Sequence, residues 1–118
     1  MYKFYCYPKC STCQKALKFL NENNIDYELI DIKLNNPKEE ILKEVKKKGN
    51  LEYSKMFNTS GLLYRSLELS KKIKNMTDDE MLKLLSSDGM LVKRPILIGD
   101  DFSLIGFKIE DWKKKTLI

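Results

Sequence analysis

Histidine is absent from this sequence of 118 residues, and cysteine occurs only three times. A tetrahedral zinc site needs four ligands, which in proteins are mostly cysteine and histidine side chains. Cys6, Cys10 and Cys13 are too few for such a site. The sequence therefore predicts no metal, and nothing in it indicates another cofactor.

Long apolar runs are missing as well. No run approaches the roughly 20 residues needed to cross a bilayer, and residues 1–9 lack the basic start and apolar stretch of a signal peptide. Hydrophobic residues make up 42% of the chain and charged residues 33%, as in soluble globular proteins. We therefore expect a single cytoplasmic domain over residues 1–118, monomeric and without a membrane partner.

The chain also has no acidic excess, since 22 basic residues outnumber 17 acidic ones and the net charge is +5. A basic balance can indicate nucleic-acid binding. Most of the excess, however, lies in three lysine-rich segments at the ends of predicted helices, namely 45–49, 70–74 and 112–116. The helix dipole favours cations there. We therefore expect no direct sequence-specific DNA binding.

The first half of the chain predicts a βαβ unit followed by a helix. Residues 2–7 are aromatic-rich and predict a strand, a helix should run from Ser11 to about 23–24, and residues 26–32 predict a second strand. Strands joined through such a helix should be parallel. A further helix is expected to begin with Asn36 as N-cap and Pro37 in first position, and to close at Gly49.

The second half predicts short helices and then a hairpin. Residues 51–75 indicate short helical pieces, and the sequence TDDE from Thr77 matches a capping box at a helix start. Residues 94–107 contain two apolar runs separated by Gly-Asp-Asp, which predicts a hairpin, and 108–115 indicate a closing helix. The order βαβ, helices, ββα predicts a thioredoxin-like α/β fold with a helical insertion at about 37–88.

Two cysteines stand three residues apart in YPKCSTCQKAL, at the mouth of the first predicted helix. Half a zinc site, a structural disulfide, a redox couple and chance pairing are the alternatives. Thiols are mostly reduced in the cytoplasm, which disfavours a structural bond. A helix N-terminus favours an anion, so Cys10 can accept hydrogen bonds from first-turn N–H groups as a thiolate. Cys13 lies one turn on and can resolve a mixed disulfide, so redox chemistry is favoured.

Three other residues are candidates, and two of them have two interpretations. Cys6 falls in the middle of a predicted strand, where a cysteine usually packs as a small apolar side chain, although a redox role is the alternative. Arg94 could bind an anion or a thiolate, or it could be an exposed arginine before an edge strand. Pro95 could adopt a cis peptide bond at a tight turn.

Several motifs in order, YPKCSTCQKAL, FNTSG, YRSL, SSDGMLVKRPI and IGFKIEDW, resemble the arsenate reductase/Spx family over almost the whole chain. The chain is most similar to the small arsenate-reductase-like proteins of Gram-positive bacteria. The resemblance implies a thioredoxin-like core with inserted helices. It also implies a nucleophile at Cys10, a partner cysteine at Cys13, and an Arg-Pro motif at Arg94 and Pro95 with a cis proline.

The sequence departs from the glutaredoxin-coupled arsenate reductases in this family. They have serine at the position of Cys13 and two further arginines that hold the oxyanion, which by motif order fall on Asn58 and Gly106. Of the three arginines only Arg94 remains, and Arg65 is a candidate substitute. A single arginine loses most of the bidentate contacts that hold an oxyanion. We therefore expect weak arsenate reduction.

These observations predict a thiol–disulfide oxidoreductase reduced by thioredoxin or by a low-molecular-weight thiol. The alternative is an Spx-type redox-sensing regulator that binds the C-terminal domain of the RNA polymerase α subunit. The expected catalytic residues are Cys10, Cys13 and Arg94. The expected binding residues are Pro95, Asn58 and Arg65.

Overall fold

The computed structural model describes residues 1–117 and contains a four-stranded mixed sheet. The strands are β1 (Tyr2–Cys6), β2 (Tyr27–Asp31), β3 (Ile96–Ile98) and β4 (Ser103–Ile105), in the spatial order β2-β1-β3-β4. As predicted, β1 and β2 are parallel, whereas β3 pairs antiparallel with both β1 and β4. The βαβ unit and the hairpin therefore meet along β1 and β3.

Helices cover the sheet and fill the chain between β2 and β3. They are α1 (Ser11–Glu22), α2 (Glu39–Gly49), α3 (Leu62–Ser66), α4 (Leu69–Lys72), α5 (Asp78–Ser87) and α6 (Ile109–Lys115). Short 3-10 turns occupy Tyr53–Met56, Ile73–Asn75 and Gly89–Leu91. The mixed α/β, thioredoxin-like fold is thus confirmed. None of the helices in residues 1–117 is long and apolar enough to span a membrane.

The core lies on both faces of the sheet because β1 alternates its side chains between them. Phe4 and Cys6 point to the face beneath α1 and α6, where the Phe4 ring meets Trp112 edge-on at 6.1 Å. Tyr5 points to the opposite face, beneath α2 and α5. The end of β1 is therefore held between two packed layers, which fixes the turn that leads into α1.

The predicted start of the second helix is wrong. Its N-cap is Lys38, not Asn36, and α2 begins at Glu39. The Asn36 side chain instead donates a hydrogen bond to the carbonyl of Ser86 at the end of α5. The Asn36 side chain therefore makes a tertiary contact 50 residues away along the chain instead of the local cap that the sequence pattern predicted.

The predicted close of that helix is shifted by one residue. Gly49 is the last residue of α2, and Asn50 adopts the left-handed conformation with φ 52°. A Cβ at Gly49 would lie 2.7 Å from Oγ of Ser103, so glycine is needed for close packing against β4. The predicted capping box is confirmed, since Thr77 and Glu80 exchange both hydrogen bonds at the start of α5.

Candidate active site

Cys10 lies at the N-cap of α1, between the end of β1 and the first helical turn. Its backbone is extended, with φ −92° and ψ 124°, and its N–H donates to the Tyr7 carbonyl over 2.9 Å. Its carbonyl accepts the N–H of Gln14 over 3.0 Å. The expectation that its sulfur accepts first-turn N–H groups is wrong, because the thiol makes no capping hydrogen bond. Cys10 is half-buried and stands at the positive end of the helix.

Cys13 lies directly behind Cys10 and is completely buried. Its sulfur accepts the backbone N–H of Tyr7 over 3.3 Å, and it packs in the same buried cluster as Cys6, with Cys10 against that cluster. The hydrogen bond with Cys6, together with burial, raises the pKa of Cys13 far above its ordinary value. Both effects favour the protonated thiol of Cys13 in the reduced protein.

Cys6 is buried, as its place in a strand predicted. The hydrogen bond with Cys13 lowers its pKa and outweighs the opposing effect of burial. All three cysteines are free thiols, with no disulfide among them. Within residues 1–117 they do not form a group that could hold a metal ion.

An open groove of about 1070 Å³ passes in front of Cys10. One wall is the segment 57–63, and the other is the segment 105–108 after β4. The groove brings together Cys10, Arg94 and Asn58 from the predicted site. Cys13, Pro95 and Arg65 do not line it.

Arg94 brings a cation to the groove that is only partly compensated. Its guanidinium lies over the Tyr7 ring, 5.2 Å from the centroid, which is a cation–π contact. Nε and Nη1 are buried and find no hydrogen-bond partner among the described residues. An anion in front of Cys10 would compensate this charge.

Pro95 follows Arg94 through a cis peptide bond and is buried. Its carbonyl accepts the N–H of Gly106 over 2.8 Å. Pro95 thereby supports the far wall of the groove from behind, without facing it.

The two positions where the related reductases have arginine differ in their surroundings. Asn58 donates its backbone N–H to the Leu91 carbonyl over 2.8 Å and keeps its side chain beside Ser60. Gly106 has φ +76°, and a Cβ there would lie 2.9 Å from Cε of Lys93. A lysine from the neighbouring segment therefore occupies the space in front of Gly106.

Arg65 lies on the outer side of the first wall. It is exposed, and its guanidinium donates to the Ser60 carbonyl over 2.9 Å. The residue supports the segment 57–63 and does not line the groove in front of Cys10.

Sequence reasoning missed three cations of the site. Lys55, Lys93 and Lys108 line the groove beside Arg94, and Asp88 is the carboxylate among the described lining residues. The Asp88 carboxylate already accepts the Met90 N–H over 2.8 Å. In the sequence, Lys93 could have indicated this positive charge, because it adjoins the Arg-Pro motif and does not lie at a helix end. The groove is therefore electropositive.

Comparisons with known proteins agree with this architecture. The ArsC family model matches residues 5–115. The chain is 44% identical to the protein YusI of Bacillus subtilis over 111 residues, which cover 94% of each chain. The structure matches that of an ArsC family related protein from Bacteroides fragilis with a TM-score of 0.92 and 48% identity, over 96% of this chain and 97% of that one.

More distant relatives carry two kinds of name. The global transcriptional regulator Spx 2 of Bacillus anthracis is 26% identical over 97% of this chain and 86% of its own. An arsenate reductase of Neisseria meningitidis is 26% identical over 92% of both chains. On the near-complete family match and the similarity to YusI, this protein belongs to the ArsC family.

Proposed function

We propose that this protein is a thiol–disulfide oxidoreductase with Cys10 as nucleophile and Cys13 as resolving thiol. The observation that supports this most directly is their relative burial. Cys10 lines the groove, whereas Cys13 is fully buried one helical turn further on, in the cluster against which Cys10 packs. A substrate can reach only the first sulfur, and the second can reach only what is bound to the first.

The reaction consists of two exchanges. The Cys10 thiolate attacks one sulfur of the substrate disulfide, and the other sulfur leaves as a thiolate that takes up a proton. Cys13 then loses its proton and attacks Cys10 Sγ, which releases the second substrate thiol and leaves a Cys10–Cys13 disulfide. The substrate gains two electrons that the protein loses. A thioredoxin-type dithiol or a low-molecular-weight thiol in the cytoplasm returns them.

Arg94 and the start of α1 provide the positive charge that this chemistry needs. The buried Nε and Nη1 of Arg94, which have no hydrogen-bond partner among the described residues, and the N-terminus of the helix stabilise the negative charge that develops on sulfur during the exchange. Pro95 and Asn58 have a positioning role in this proposal. Pro95 supports Gly106, and the backbone of Asn58 fixes the opposite wall to Leu91.

A trapping experiment tests the proposal. Cys13→Ala removes the resolving thiol, so attacked proteins from a lysate should remain on Cys10 as mixed disulfides that a reductant releases. Cys10→Ala is the matched control and should trap none. A varied set of disulfide-linked proteins is the expected result. An absence of Cys10-dependent adducts, with the variant folded by circular dichroism, would contradict the oxidoreductase.

A redox-sensing regulator is the second candidate, because the chain covers most of the regulator Spx 2 at 26% identity. This function requires a surface whose affinity for a partner differs between the two redox states. The same experiment separates the candidates. Recovery of the RNA polymerase α subunit alone, without a disulfide and only in one redox state of the cysteine pair, would favour the regulator.

A further inference from the structure

The three thiols lie in a row that leads from the groove into the core. Cys6 projects from β1 to the face beneath α1, and Cys13 projects from α1 towards that strand. The Cys13 sulfur is 3.3 Å from the backbone N of Tyr7, the atom that directly follows Cys6 in the chain. Cys6 and Cys13 share one buried cluster, and Cys10, one helical turn before Cys13, packs against that cluster. Cys13 is therefore the middle sulfur.

The two inner thiols are closed to outside reagents. Cys13 has no exposed surface and Cys6 is 3% exposed. A disulfide can enter the row only through Cys10, which lines the groove. Once Cys13 is part of a disulfide with Cys10, the thiol of Cys6 lies in the same buried cluster as one of its two sulfurs.

We propose that Cys6 is a second resolving thiol, which moves the disulfide from Cys10–Cys13 to Cys6–Cys13. Cys6 loses its proton and its sulfur attacks Cys13 Sγ. The Cys13–Cys10 bond breaks, and Cys10 leaves as a thiolate that takes up the proton lost by Cys6. No electrons are gained or lost in this step, because one disulfide replaces another. The oxidant is the substrate disulfide of the proposed function, on which this inference rests.

The exchange changes what the protein can do next. A Cys10–Cys13 disulfide leaves no reactive thiol in the groove, whereas a Cys6–Cys13 disulfide stores the oxidation in the core and frees Cys10. The freed Cys10 can attack a second disulfide. Cys13 is then unable to resolve the product, so a mixed disulfide on Cys10 persists.

Glutathione disulfide in excess is the probe for this relay, because it captures the freed Cys10 and pulls the exchange forward. The reduced wild-type protein is incubated with glutathione disulfide and quenched in acid, and its intact mass is measured by mass spectrometry. We expect one internal disulfide plus one retained glutathione. In Cys6→Ala we expect one internal disulfide and loss of the glutathione adduct. Cys6→Ser, which keeps the side-chain volume, should behave like Cys6→Ala.

Tryptic cleavage identifies the bond, because Lys9 separates Cys6 from the other two cysteines. A Cys10–Cys13 disulfide remains within the single peptide 10–15. A Cys6–Cys13 disulfide instead joins peptide 4–9 to peptide 10–15, with glutathione on Cys10. We expect the joined peptides from the wild-type protein.

The Cys10→Ala variant tests the order of the relay. It should form no Cys6–Cys13 bond under the same conditions, and formation at the wild-type rate would overturn the relay. A Cys10–Cys13 disulfide alone in the wild type, or an equal adduct in Cys6→Ala, would overturn the role of Cys6 and leave the proposed function intact. A wild-type protein that forms neither an adduct nor an internal disulfide would overturn both.

Discussion

Lys93 places a positive charge beside Gly106, the position where the related reductases have arginine. Its side chain lies against Gly106 and is exposed to solvent. We expect Lys93→Gln to slow the reaction of Cys10 with an anionic disulfide by up to about fivefold, since an exposed charge pair contributes about 1 kcal/mol at most. The measurement is the rate with glutathione disulfide, at low and at high salt.

Lys15→Gln is the matched control for this prediction. Lys15 is exposed on α1 and does not line the groove, but its replacement removes the same charge. Lys15→Gln should slow the reaction with glutathione disulfide less than Lys93→Gln does. Lys93→Gln should not slow the reaction with the cationic disulfide cystamine. Equal effects of the two substitutions would mean that overall charge, not Lys93, governs the rate.

Arsenate binding depends more strongly on individual arginine side chains than the reaction with a disulfide does. Among the described lining residues Arg94 is the arginine, and Asn58 and Gly106 cannot supply further guanidinium groups. We therefore expect arsenite production with glutaredoxin or thioredoxin to be weak or absent, because bidentate contacts to the oxyanion are lost. Robust production that disappears in Cys10→Ala would contradict this expectation.

The capping box at the start of α5 is a prediction at the scale of an element. The Thr77 hydroxyl accepts the Glu80 N–H, and the Glu80 carboxylate accepts the Thr77 N–H over 2.9 Å. We expect Thr77→Ala to lower the free energy of unfolding by about 1 kcal/mol, the usual contribution of an N-cap. Urea denaturation followed by circular dichroism measures it.

The same cap predicts a pH dependence with a definite sign. The hydrogen bonds from the backbone and side chain of Thr77 lower the pKa of the Glu80 carboxyl. A lowered folded-state pKa adds stability that is present above the ordinary glutamate pKa and is lost as pH falls through the folded value. The difference between wild type and Glu80→Gln should therefore shrink in acid. Asp79→Asn, in the same turn but outside the cap, is the control.

At the scale of the whole molecule, Trp112 joins the core to the groove. It is completely buried in α6, contacts Phe4 and Phe107, and donates its indole N–H to the Gly106 carbonyl over 3.0 Å. We expect Trp112→Phe to lower the free energy of unfolding by about 1–3 kcal/mol, because it leaves a buried carbonyl without its donor. Urea denaturation again provides the measurement.

Phe107→Leu separates the hydrogen bond from the aromatic packing around it. This substitution removes a ring that meets Trp112 at 5.1 Å but leaves the indole hydrogen bond in place. It should cost less than Trp112→Phe. An unchanged unfolding midpoint in Trp112→Phe would show that the link between α6 and Gly106 adds no stability.

The sequence by itself determined the features that depend on neighbours in the chain. The βαβ start, the hairpin, the Thr77 cap and the place of Cys10 before α1 all follow from local patterns. Periodicity, caps and turn residues act within one or two turns of backbone, so a sequence contains their whole cause. The buried state of Cys6 followed in the same way from its position in β1.

Only the tertiary structure decided which side chains meet across the chain. Asn36 bonds to Ser86 instead of capping α2, and Lys93 occupies the space beside Gly106. Neither contact has a local signal, because each depends on how separate elements pack. The row from Cys10 through Cys13 to Cys6 is of the same kind. Cys10 and Cys13 are three residues apart in sequence, but Cys6 joins them only because α1 packs on the face of β1 that Cys6 shares with Phe4.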